Sequence, residues 1–154
     1  MMDKGDAVTQ LILTIFRLNG ALIEAGNRLV KDIGLTSAWW QVLGGLALSP
    51  VPLTVSHIAR NMGLSRQSVQ RVADLLAGKG LVQYEANPHH RRAPLMVLTR
   101  QGAAVFKEAS KRQRPWALDM VAGLSKDRID AALAVLRQMD QHLAHTQNRE
   151  SGAA

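Results

Sequence analysis

The chain has 154 residues, 47% hydrophobic but only 4% aromatic, and a formal charge of +7. That suffices for one well-packed domain, or two small lobes sharing a core, built from Leu, Val, Ile, Ala and Met, and it excludes long disorder. The absence of cysteine excludes disulfides, thiolate metal sites and thiol redox sensing, and fits a reducing compartment.

Apolar residues recur at helical spacing from 7 to 33 (Leu11, Ile15, Leu18, Leu22, Leu29, Ile33), and Gly34 supplies a C-terminal stop. No run of 18 apolar residues occurs, and the opening Met1-Met2-Asp3-Lys4-Gly5-Asp6 lacks a basic-then-apolar leader pattern, so a cytoplasmic protein is expected. Thr36 or Ser37 is placed to cap a second helix reaching about Leu48, where Pro50 and Pro52 end it. Thr54 caps a short third helix, Val55 to Met62, closed by Gly63. Ser65 caps a fourth that runs to about Ala77 and ends at Gly78-Lys79-Gly80.

The period then falls from 3.6 to about 2. Leu81 to Glu85 and Leu95 to Leu98 read as paired strands, and the connection Asn87-Pro88-His89-His90-Arg91-Arg92 is turn-rich and basic. Thr99 caps a long helix through about Val121, with Pro115 expected to kink it. Ser125 caps a last helix whose apolar stripe is Ile129, Leu133, Leu136, Met139 and Leu143. Residues 148–154 are expected to form a disordered tail.

Charge is unevenly placed along this order. Residues 54–100 hold seven Lys or Arg against two Asp or Glu, so +5 of the net +7 lies in the middle third. Such a patch suits a polyanion, whose neutralised phosphates release counterions, although a merely solvated basic surface has the same composition.

The segment Thr54 to Leu76, two short helices joined by Met62-Gly63-Leu64-Ser65, has helix-turn-helix grammar. In its second helix Val69, Val72, Ala73 and Leu76 share one face, while Arg66, Gln67, Gln70 and Arg71 share the other. Arg and Gln are side chains able to read guanine and adenine edges in a major groove. The hairpin tip, with Arg91 and Arg92, is placed to reach a minor groove.

The run Leu64-Ser65-Arg66-Gln67-Ser68-Val69-Gln70-Arg71-Val72, with Leu75, Gly80-Leu81-Val82, Arg91-Arg92 and Leu98-Thr99-x-x-Gly102, resembles the MarR family. Gly34-Leu35-Thr36, leading to Trp40 and Leu43, does so too, and the resemblance spans about residues 8 to 147. It implies a mainly α fold with a small β-hairpin wing, a winged helix-turn-helix core flanked by N- and C-terminal dimerisation helices. The implied divisions are a dimerisation helix in 1–35, a DNA-binding domain in 36–100 and dimerisation helices in 101–147.

The implied function is that of a homodimeric, ligand-responsive repressor on a pseudo-palindromic double-stranded DNA operator. The family's recognition positions fall on Ser65, Arg66, Gln67, Ser68, Gln70 and Arg71, and its wing arginine on Arg92. The family usually writes the wing as Asp-x-Arg; here it is His90-Arg91-Arg92. A neutral His90 can accept a hydrogen bond from Arg92, whereas a protonated one repels it, so His90 is either a tolerated substitution, a phosphate contact or a pH switch.

Members of the family often bind small aromatic or lipophilic effectors, commonly anionic. Trp39 is either packed in the core or exposed to such a ligand, and Arg17 and His57 are candidate carboxylate partners. His142 and His145, one helical turn apart, read as surface residues, too few to bind a metal without further ligands. No cofactor is expected, and no phosphate loop, nucleophile elbow, His-Glu-x-x-His or close carboxylate pair suggests an enzyme. The competing reading is a winged-helix module for protein contact without DNA.

Overall fold

The computed structural model describes residues 1–151, in two compact units that divide between Pro115 and Trp116. The first unit opens with α1, Lys4–Val30, which starts three residues earlier than its apolar spacing suggests. The cause is local: Asp3 accepts from the Asp6 N–H at 2.8 Å, and the Asp6 side chain returns the bond in a capping box. A single 3₁₀ turn, Lys31–Ile33, follows, and Gly34 ends it in the left-handed conformation. Then come α2, Ser37–Ala47, capped by Thr36; β1, Leu53–Thr54; α3, Val55–Met62; and α4, Arg66–Gly78.

The wing is β2, Val82–Glu85, paired antiparallel with β3, Leu95–Leu98, so that Val82 faces Leu98 and Tyr84 faces Met96. On the other edge of β3 lies β1, with Leu53 opposite Met96. This third strand is absent from the sequence reading, because two residues carry no periodicity. The long helix α5, Arg100–Met120, continues through Pro115.

The core of this unit is aliphatic. Val30, Val42, Leu43, Ile58, Val69, Leu76 and Met96 are fully buried, drawing together α1, α2, α3, α4 and β3. Helix α1 docks on α2 through a close approach at Gly26, where a Cβ would lie 2.5 Å from Ser37 Oγ. That hydroxyl donates to the Ile23 carbonyl at 2.6 Å, and the Ser37 N–H donates to Asn27 Oδ1 at 2.7 Å, satisfying the buried serine. Farther on, Arg112 of α5 pairs with Asp32 and Glu108, and its hydrogen bond holds the Asp32 carboxyl below the usual carboxylate range.

The second unit consists of the end of α5 and α6, Lys126–Ser151. Ser125 begins α6, accepting weakly from the Arg128 N–H at 3.4 Å. The expected tail is therefore helical from 148 to 151, and residues 152–154 lie outside the described residues.

Each unit presents apolar side chains to solvent. On α1, Leu13 and Phe16 are 61% and 70% exposed, accompanied by Val8, Ile12, Leu18 and Ile23. On α6 the row Ile129, Leu133, Leu136 and Leu143 is exposed, as is Val135. Among the described residues one helix, Lys4–Ile33, is long and apolar enough to cross a membrane by length and composition alone.

Candidate nucleic-acid interface

The tight connection between α3 and α4 determines how α4 is presented. Gly63 adopts φ 64, a left-handed conformation that glycine tolerates without steric cost, and the Leu64 N–H returns to the Ala59 carbonyl at 2.9 Å. Ser65 then caps α4: its Oγ accepts from the Ser68 N–H at 3.1 Å and donates to Ser68 Oγ at 2.8 Å. The Ser65 hydroxyl is thereby engaged within the helix, while the Ser68 hydroxyl retains its own proton for an outside acceptor. At the other end of the motif Thr54 caps α3, accepting from the His57 N–H at 3.2 Å, with His57 Nδ1 2.9 Å from the threonine hydroxyl.

Helix α4 is amphipathic as the sequence implies. Val69, Ala73 and Leu76 are buried and Val72 is half-buried against the core. The opposite side opens into a concavity of about 740 Å³ lined by Arg66, Gln67, Gln70, Arg71, Asp74 and Leu75. Arg66, Gln67 and Arg71 are exposed, and Gln70 is half-buried. The wing meets this face at a smaller concavity of about 30 Å³, lined by Ser56 of α3, Arg66 and Gln70 of α4, and Arg92, Ala93 and Pro94 of the wing. Thus the tertiary fold brings Arg92 beside the start of α4, while His90 and Arg91 stand exposed at the tip.

Among the described residues no hydrogen bond joins His90 to Arg92. The turn is supported instead by Asn87, whose Nδ2 donates to the Ala93 carbonyl at 2.8 Å and whose Oδ1 accepts from the His89 N–H at 3.0 Å. Asn87 was legible only as a turn residue; its partner lies six positions away.

A second group is invisible to sequence reasoning. Tyr84 of β2 donates from its hydroxyl to Asp74 Oδ1 at 2.8 Å, and Gln70 Nε2 donates to both Asp74 Oδ1 and Tyr84 Oη at 3.0 Å. Desolvation, reinforced by the Asp74 carboxylate, pushes the Tyr84 phenol up to about 12. The phenol therefore stays protonated at ordinary pH and remains a donor to Asp74.

The residues named for an effector do not converge. Arg17 is exposed on α1 and His57 on α3, and Trp39 is half-buried against the core with the Lys79 ammonium 5.6 Å from its ring centroid. Neither concavity above is lined by any of the three. His142 and His145 are exposed on α6.

The core, the capped α3–α4 turn and the wing coincide with what comparison with known proteins finds. Residues 33–93 match the profile of the MarR family. An uncharacterised protein of Mycobacterium tuberculosis is 39% identical over 107 residues, covering 70% of this chain and 73% of its own. The chain belongs to the MarR family of winged helix-turn-helix transcriptional regulators.

Solved MarR-type structures superpose over nearly the whole regulator. The transcriptional repressor CouR bound to a 23-mer DNA duplex aligns with a TM-score of 0.74 and 26% identity, over 91% of this chain and 99% of the other. CouR from Rhodococcus jostii bound to p-coumaroyl-CoA aligns with a TM-score of 0.76 and 21% identity, over 84% and 90%. Membership of this family places the chain among regulators rather than enzymes.

Proposed function

We propose that this regulator binds double-stranded DNA as a homodimer, each subunit laying α4 in a major groove of a pseudo-palindromic operator. Arg66, Gln67, Gln70 and Arg71 face base edges and phosphates, the Ser68 hydroxyl donates to a phosphate, and Ser65 serves the helix as its cap. Arg92 enters the flanking minor groove, and His90 and Arg91 contact the backbone beside it.

One observation carries this reading: the outward face of α4 gathers two arginines and two glutamines around an open concavity, with a wing arginine at its edge. A winged helix used only for protein contact would present an apolar, neutral or acidic face there. The likeness to CouR, a repressor bound to a DNA duplex, supports DNA as the partner. The exposed apolar faces of α1 and α6 support the homodimer, since patches of that kind on a lone chain mark a missing partner. Two helix-turn-helix motifs held about 34–36 Å apart read successive major grooves on one side of the duplex.

The regulator acts as a repressor that occludes a promoter, and a small aromatic or lipophilic effector shifts it toward a spacing that no longer fits the operator. The effector part rests on the likeness to CouR, which is bound to p-coumaroyl-CoA.

Selecting duplexes from a randomised library, then titrating the selected duplex with salt, tests the DNA reading. A two-fold symmetric sequence should emerge, with affinity falling about 10³-fold or more between roughly 50 and 200 mM salt. If no sequence is enriched, or if binding is indifferent to salt, the DNA-binding reading is wrong.

A further inference from the structure

The loop that carries the wing arginines, between Glu85 and Leu95, contains no glycine and no residue of positive φ. Arg91 and Arg92 occupy the two corner positions of a turn, which the Ala93 N–H closes on the His90 carbonyl at 3.1 Å. Pro94 follows, and it steers Ala93 toward extended backbone. Among the described residues no hydrogen bond or ion pair holds the Arg92 guanidinium. Where that guanidinium can reach is therefore set by where the turn places its backbone.

One side chain ties this turn to the rest of the loop. Asn87 is half-buried on the arm that leaves β2; its Nδ2 donates to the Ala93 carbonyl at 2.8 Å, and its Oδ1 accepts from the His89 N–H at 3.0 Å. The two ends of the amide meet partners of opposite kind. A carbonyl only accepts and a backbone N–H only donates, so the amide has one workable orientation. Ala93 is thus held twice, by its N–H within the turn and by its carbonyl across the loop. Aspartate in place of Asn87 would set a carboxylate oxygen against that carbonyl. Ala93 also lines the small concavity together with Arg92, Pro94 and, from α4, Arg66 and Gln70. The cross-loop bond therefore ends where the wing meets the recognition helix.

Resting on the DNA-binding reading above, we infer that Asn87 is a positioning residue for Arg92. It keeps the His90–Ala93 turn in one shape before DNA is met, so that Arg92 enters the flanking minor groove without the loop having to be ordered first. Ordering a loop on binding subtracts from affinity, and a loop already ordered avoids that loss. Asn87 touches no DNA in this scheme; its contribution passes through Arg92.

The test is a double-mutant cycle on the selected duplex, with wild type, Asn87→Ala, Arg92→Ala and the double variant each measured on A·T-rich and G·C-rich flanks. Thermal unfolding checks that each protein is folded. Asn87→Ser supplies a second variant, whose hydroxyl can serve the nearby His89 N–H but is too short to bridge to Ala93. Asn87→Ala should weaken binding roughly 3- to 10-fold, the weight of one internal hydrogen bond, and Asn87→Ser should do the same. Both should shift the flank dependence in the direction that Arg92→Ala shifts it. In the Arg92→Ala background, Asn87→Ala should cost less than about 2-fold more. Base preferences within the half-site, read by α4, should be alike in all the proteins.

The inference is overturned if the two losses multiply in the double variant, or if Asn87→Ala binds as the wild type does. It is overturned equally if Asn87→Ser matches the wild type, which would reduce Asn87 to a local turn former. Altered half-site preferences would assign Asn87 to the fold rather than to the wing, and overturn it too. Should Arg92→Ala itself bind as the wild type does, there is no wing contact to position, and this inference falls while the reading of α4 stands. Enrichment of no sequence by the wild type would instead remove the DNA-binding reading itself.

Discussion

Gln67 on α4 is exposed, and among the described residues no hydrogen bond engages its amide. Gln67→Ala should therefore weaken operator binding by about 1–3 kcal/mol if the amide pairs with one base at both edges, measured by fluorescence anisotropy on the selected duplex. Arg92, beside Arg66 and Gln70, is placed differently. Arg92→Ala should cost most on sites with A·T-rich flanks, where a narrowed minor groove concentrates negative potential; a uniform loss across flanks would mark a phosphate contact instead. Among the described residues no hydrogen bond joins His90 to Arg92, so His90→Ala should leave the flank preference set by Arg92 unchanged. A changed flank preference would make His90 a brace for Arg92. Tyr84 permits an unusually direct measurement, being the sole tyrosine of the chain. Its tyrosinate absorbance should appear near 12 rather than 10, and move back toward 10 in Asp74→Ala. The linkage has a definite sign. A folded-state value raised above the unfolded one gives stability that is present below about 10 and lost as pH rises toward about 12.

At the scale of elements, the caps carry the helix-turn-helix and one close approach anchors the wing. Ser65→Ala removes the acceptor for the Ser68 N–H and should cost about 1 kcal/mol of stability, read from the shift in urea midpoint at unchanged slope. The wing strand β2 enters from Leu81, whose carbonyl accepts from the Thr99 N–H at 3.2 Å, while Thr99 Oγ1 donates to the Gly80 carbonyl at 2.6 Å. Gly102 completes this corner: its N–H donates to Thr99 Oγ1 at 3.0 Å, and a Cβ there would lie 1.8 Å from the Leu81 carbonyl oxygen. A methyl group cannot be placed so close to a backbone atom. Gly102→Ala should therefore destabilise by about 3 kcal/mol or more, with loss of the wing's position at the base of α5. Wild-type stability in that variant would mean that β2 and α5 part easily.

At the scale of the whole molecule, two helices present apolar side chains to solvent. Phe16 and Leu13 stand largely in solvent on α1, in a sequence with two phenylalanines altogether, and α6 carries a further exposed apolar row. In the proposed homodimer, burial of such faces in a second copy joins two DNA-binding lobes, and a joined pair gains over two separate ones through effective concentration. Phe16→Glu should give a folded monomer by sedimentation equilibrium, with operator affinity reduced at least about 100-fold. A dimer that survives this substitution with full affinity would place the subunit contact elsewhere.

Much of this protein is written in short stretches of sequence. The helices with their caps Thr54, Ser65 and Ser125, the stop at Gly34 and the Gly63 turn depend on residues within about one helical turn, so spacing and residue type are enough to determine them, whereas the choice of Thr36 over Ser37 as the cap of α2 came from the structure. The amphipathic face of α4 follows from the same period. Other features join residues that sequence holds apart: the β1 strand on β3, the Asn87 brace, Gly102 against Leu81, and the ring of Gln70, Asp74 and Tyr84. Hydrogen-bond partners across a turn or between a helix and a strand are chosen by distance in space, which only the packed core sets. The chain therefore declares on its own which helix faces outward and with which residues, whereas the tertiary structure alone decides which of those residues are free and which are already held.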